Sequence, residues 1–87
     1  MTVIRLRTET IKWREIDGEV VAIDVAKSAY LSSNSAGAIL WQMLSTGATR
    51  DELAAKLVDS FEIDRTRAVT DVDAFLADLV ARDLLEP

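Results

Sequence analysis

Ile11-Lys12-Trp13-Arg14-Glu15-Ile16-Asp17-Gly18-Glu19-Val20-Val21-Ala22-Ile23-Asp24-Val25 is the stretch on which the fold turns. From Thr10 to Ile16 apolar and polar residues alternate at period two, with Ile11 and Trp13 on one face, the pattern of a half-buried strand. Asp17-Gly18 follows, and both residue types tolerate the positive φ that the two central positions of a type I′ turn require. Val20 to Val25 is β-branched and mostly apolar, as a central strand is. The stretch therefore predicts an antiparallel hairpin.

Outward from the hairpin, Ala26-Lys27-Ser28 reads as a second turn and Ala29-Tyr30-Leu31-Ser32 as a brief third strand. Upstream, Val3-Ile4-Arg5-Leu6 is expected to add a further edge strand. Downstream the period changes. Ser35 to Leu44, capped by Ser33 or Asn34, sets Ala36, Ile39, Leu40 and Met43 on one helical face. After Gly47, Thr49-Arg50-Asp51-Glu52 is a capping box that opens a helix with Leu53, Ala54, Leu57, Val58 and Phe61 as its apolar stripe. A third helix starts near Asp64 or Thr66 and runs to about Arg82, with Val72, Phe75, Leu76 and Leu79 inward. Leu84-Leu85 closes the chain as a hydrophobic latch. The fold class is α+β: a three-stranded antiparallel meander followed by three helices, similar in outline to a winged helix-turn-helix.

Eighty-seven residues make one domain, 1–87, too small for a deep enclosed active site beside its core. The chain has no cysteine and no histidine, which removes the thiolate nucleophile, the zinc–thiolate site and the commonest general base. Asp59, Glu62 and Asp64 do not follow the calcium-loop spacing, and Lys27-Ser28 has no glycine-rich loop around it to cradle phosphate. Trp13 and Trp41 read as packing residues. No catalytic residue, metal or cofactor is expected. No apolar run reaches the length of a membrane span and the first residues do not open a signal segment, so a cytoplasmic protein without membrane contact is expected.

The net charge is −5, and the acid excess lies after residue 28. On the third helix and its flanks Arg65, Arg67 and Arg82 stand against Asp64, Asp71, Asp73, Asp78 and Asp83. A recognition helix of that sign is repelled by the phosphate backbone, so a winged-helix DNA-binding regulator is the weaker reading and no nucleic acid is expected as a partner.

Asp24, Tyr30, Asn34, Gly37 and Trp41 stand in the order D-x5-Y-x3-N-x2-G-x3-W. With Gly47, the helix start at Thr49, the Asp71-Val72-x2-Phe75-Leu76-x2-Leu79 pattern and the final Leu84-Leu85, this resembles the PqqD-like peptide-chaperone domains, also called RiPP recognition elements, over about residues 10–86. It is most similar to the stand-alone members of lasso-peptide biosynthesis. The chain departs at Ser33, where the family usually has Leu, and at Asp83, where it usually has Gly.

The resemblance implies an adaptor, not an enzyme. Such a domain binds the leader of a ribosomally made precursor, here a lasso peptide, as an added strand between its third strand and third helix. It then delivers the precursor to a separate maturation enzyme such as the leader peptidase, or, as an alternative, to a radical S-adenosylmethionine peptide-modifying enzyme. The residues themselves are compatible: the strand Lys27–Ser32 carries no proline and one charge, so little guards its edge. The binding set expected is Lys27, Ser28, Ala29, Tyr30, Leu31 and Ser32, joined on the third helix by Val69, Val72, Asp73, Leu76 and Val80, with Val72 shared with the core. Asp73, with Asp71, is expected to select against acidic leaders.

Overall fold

A computed structural model describes residues 2–7, 9, 11–26 and 28–87. Three strands, β1 (Ile11–Ile16), β2 (Glu19–Asp24) and β3 (Ala29–Ser33), are followed by three helices, α1 (Ser35–Thr46), α2 (Arg50–Phe61) and α3 (Arg65–Ala81). The strands form one antiparallel sheet in the order β1-β2-β3. Asp17 and Gly18 make the first turn with φ of 52° and 78°, the two positive values a two-residue type I′ connection needs. That turn sets the register, with Ile16 opposite Glu19 and Trp13 opposite Ala22.

The helices begin where their caps stand. The Asn34 side chain accepts from Gly37 N–H at 2.9 Å. In the capping box before α2, Glu52 N–H donates to Thr49 Oγ1 at 3.2 Å and Thr49 N–H to Glu52 Oε1 at 2.8 Å. Asp64 accepts from Arg67 N–H at 2.8 Å and caps α3. The helices then cover the inner sheet face. Trp41, Leu44, Leu53, Leu57, Val72 and Leu79 are wholly buried between them, with Val20 and Ala22 from β2. Trp13 meets Trp41 edge-on, ring centroids 6.2 Å apart, which joins β1 to α1.

Two expectations change. Val3 to Leu6 does not extend the sheet. Ile4 bridges Ala48 and Leu6 bridges Leu85, so this segment ties the start of the chain to the helical half and the C-terminal residues. The apolar alternation there serves packing between chain ends, which local pattern cannot tell from sheet pairing. Secondly, β3 reaches Ser33 and α1 reaches Thr46, each longer than expected, while Thr10 falls outside the described residues.

The end of α3 accounts for the departure at Asp83. Its φ is 56°, in the left-handed region where glycine is favoured. Asp83 N–H donates to Val80 O and Leu84 N–H to Leu79 O, each at 3.0 Å, a Schellman closure in which both leucines are buried in the core. The Asp83 carboxylate takes Arg7 at 2.6 Å.

Candidate functional site

Register decides which backbone groups of β3 are free. Ile16 and Glu19 flank a two-residue turn, so they are a hydrogen-bonded pair, and pairs alternate from there. In β2, Val20, Ala22 and Asp24 therefore bond across to β3, where their partners are Ser33, Leu31 and Ala29. That leaves the N–H and C=O of Tyr30 and Ser32 directed away from β2, along the open edge of the sheet. The side chains split the other way. Leu31 and Ser33 turn to the inner face, while Tyr30, 63% exposed, lies on the outer face opposite Ile23, 47% exposed.

Among the described residues both sheet edges are open, yet they are not alike. On β1 the free backbone groups belong to Ile11, Trp13 and Glu15 by the same alternation. A second strand pairing there symmetrically would bring Lys12 opposite Arg14, a like-charge contact that discourages edge-to-edge association. The described residues of β3 carry no charge at all. The outer face exposes Ile16, Ile23, Val25 and Tyr30 beside the charged Lys12, Arg14 and Glu19.

Beyond the β3 edge lies a groove of about 580 Å³ between β3 and α3. Leu31, Ser32 and Ser33 line one side; Arg67, Asp71, Ala74, Phe75 and Asp78 line the other. Gly37 of α1 sits at its floor, where a Cβ would lie 2.8 Å from Ser33 Cβ and 3.3 Å from Phe75 Cε1. Glycine is needed there because the strand and both helices converge. A smaller cavity of about 40 Å³, lined by Asp24, Tyr30, Leu31, Trp41 and Arg82 among others, continues toward the C-terminal end of α3. Charge along the helix wall is partly spent internally: Arg67 lies 3.7 Å from Asp71, and Arg82 3.1 Å from Asp78.

The expected binding residues divide sharply. Tyr30, Leu31 and Ser32 border the open edge, Ala29 contributes its backbone to β3, and Ser28, at φ 53°, stands exposed in the turn before it. Lys27 lies outside the described residues. On α3 the expected row does not face the groove. Val72 is wholly buried and serves the core alone. Val69 and Leu76 pack against that core, and Leu76 and Val80 line a separate cleft with Val3, Ile4 and Leu85. Asp73 faces α2, where Arg50 Nε and Nη2 donate to its two oxygens at 2.6 and 2.7 Å. Arg50 thereby holds the Asp73 carboxyl below the usual carboxylate range, chiefly through that hydrogen bond. Asp73 is thus paired away from the groove; of the two acids, Asp71 is the one that lines it.

The reason is helical geometry. Ala68, Val72, Phe75 and Leu79 form the central stripe of α3, and a flank lies about 100° to either side of it. One flank is Val69, Asp73, Leu76 and Val80; the other is Arg67, Asp71, Ala74 and Asp78. The more apolar flank is apolar because the chain ends cover it, and the flank with the small Ala74 looks onto the groove. Small residues at Gly37 and Ala74 were the signal available in the sequence.

Chemically this arrangement can hold an extended chain. Among the described residues no three acidic side chains are gathered closely enough to hold a metal ion, and no helix is long and apolar enough to cross a membrane.

Residues 19–85 match the family model of coenzyme PQQ synthesis protein D (PqqD). Two solved structures share the fold. One is TbiB1 in complex with the TbiA(beta) leader peptide, with a TM-score of 0.86, 24% identity and 94% of each chain covered. The other is lasso peptide synthetase B1 complexed with the leader peptide, with a TM-score of 0.83, 27% identity, and 97% of this chain and 98% of that one covered. No curated protein sequence matches the chain.

Proposed function

The chain belongs to the PqqD family, and from that premise we propose that it is a non-catalytic adaptor for a ribosomally made precursor peptide of the lasso type. The leader segment adds to the sheet as a fourth, antiparallel strand beside β3. Affinity comes from main-chain bonds to Tyr30 and Ser32, and selectivity from side chains that enter the groove toward Phe75 and Ala74. The observation that carries this reading is the uncharged β3 edge opening onto a ready groove, while the other edge is guarded by Lys12 and Arg14.

The two structural relatives support it, since both are complexes with leader peptides. Delivery to a separate maturation enzyme, such as the leader peptidase, is the second half of the proposal. Its support is the set of exposed apolar residues Ile16, Ile23, Val25 and Tyr30 on the outer sheet face, which stay uncovered when the edge is filled. A chain without histidine or cysteine, whose groove acids Asp71 and Asp78 stand beside arginines, has little to perform chemistry with. The proposed setting is the cytoplasm, where precursor peptides are made.

Calorimetric titration with the leader half of the precursor encoded beside this protein tests the reading. Saturable 1:1 binding is expected, and added leader peptidase should then cleave the bound precursor faster than the free one. Absence of binding overturns the proposal.

A further inference from the structure

A strand paired with β3 inherits an address for each of its residues. Those opposite Tyr30 and Ser32 exchange main-chain hydrogen bonds and turn their side chains to the outer face. Those opposite Leu31 and Ser33 fall at non-hydrogen-bonded pairs, where facing side chains come closest, and they point into the groove. The two inward positions are two residues apart, and their surroundings differ.

Leu31 is half-buried and packs on the core, so the position beside it is apolar. Ser33 is different. Its Oγ is shielded from solvent and has no hydrogen-bond partner. A hydroxyl in that state is a standing cost that calls for an explanation. Toward α1 it has no room, because Gly37 is pressed so close that a Cβ there would lie 2.8 Å from Ser33 Cβ and 3.3 Å from Ser33 Oγ. The side left to it is the groove, which Ser33 lines. Across the same groove stands Asp71, held by Arg67 only at 3.7 Å, beyond ordinary hydrogen-bond length.

We infer that Ser33, with Asp71, forms a polar subsite that takes a leader side chain carrying a hydrogen-bond donor, two residues away from an apolar side chain seated against Leu31. The inference rests on the leader-strand reading above and adds to it a specificity-determining residue. An amide or ammonium can donate to both oxygens, and a hydroxyl can donate to Asp71 while accepting from Ser33 Oγ–H; an isosteric aliphatic group leaves both unpaired.

The test selects a displayed library of random 16-residue peptides separately against the wild-type chain, Ser33→Ala and Ser33→Leu, each checked for folding by its thermal melt. Two peptides taken from the wild-type consensus, differing only as Thr against Val at the position assigned to Ser33, are then titrated by fluorescence anisotropy. The wild type should prefer Thr by about three- to tenfold, the worth of one hydrogen bond. Ser33→Ala should erase that preference and Ser33→Leu, whose extra atoms fill the groove, should reverse it. Ser33→Ala removes a single atom, so it decides the matter even if Ser33→Leu does not fold. Equal binding of the Thr and Val peptides to the wild type, or an unchanged Thr preference in Ser33→Ala, overturns the subsite and leaves the leader-strand reading standing. Failure to enrich any peptide on the wild type overturns both.

Discussion

Arg50 and Asp73 hold each other through two parallel hydrogen bonds, Nε to Oδ1 at 2.6 Å and Nη2 to Oδ2 at 2.7 Å, and so pin the start of α2 to the middle of α3. The pair stands on the flank of α3 turned away from the groove. Its role is to fix the position of the helix that forms the groove wall, without touching what lies in the groove.

Asp73→Asn therefore separates stability from binding. Leader affinity should change by less than about twofold, since the altered charge is screened and lies off the interface. The urea midpoint should fall slightly at neutral pH. Because Arg50 lowers the folded-state pKa of Asp73, the stabilisation is present above the unfolded value and is lost as pH falls through the folded one. Midpoints of wild type and variant, followed from pH 7 downward, should converge below about pH 4.

The open edge can be tested without harming the sheet. Ser32 N–H points away from β2, so Ser32→Pro keeps every bond of the β2–β3 ladder and removes one offered to the ligand. Leader affinity should fall by about tenfold or more, with the far-ultraviolet spectrum unchanged. Glu15→Pro, the equivalent change on the guarded edge of β1, should leave affinity as it was.

Gly37→Ala should be costly for so small a change. The new Cβ meets Ser33 Cβ at 2.8 Å and Phe75 Cε1 at 3.3 Å, and Ser33 Cβ, bonded to the main chain, yields only if β3 itself shifts. Overpacking of this kind costs about 1–3 kcal/mol, readable by urea denaturation, and it also pushes β3 from α3, so leader binding should weaken.

At the end of α3 the left-handed φ of 56° at Asp83 sets an order among variants. Asp83→Gly and Asp83→Ala both lose the ion pair of the carboxylate with Arg7 and keep the bond from Arg7 to the Asp83 carbonyl, but only alanine meets the Cβ clash of the left-handed region. The glycine variant should be the more stable by about 1 kcal/mol.

Much of this molecule is written locally. Asp17-Gly18, Asn34 and the Thr49–Glu52 box act over two to four residues, and each sits where its spacing places it. The β3 edge was legible for the same reason. Which flank of α3 meets that edge was not, because both flanks stand at equal angles from the buried stripe. The choice is made by Val3, Ile4 and Leu85, from segments about eighty positions apart that line one cleft with Leu76 and Val80. Apolarity on that flank recorded intramolecular packing, while the groove took the flank with Asp71, Ala74 and Asp78.

Amide hydrogen exchange at Tyr30 and Ser32, with and without saturating leader peptide, tests the central claim most directly. Both amides should exchange freely in the unliganded chain and become protected on binding, while Ile11, Trp13 and Glu15 stay as they were. Protection that appears on β1 instead, or on neither edge in a chain that demonstrably binds the peptide, would contradict strand addition at β3.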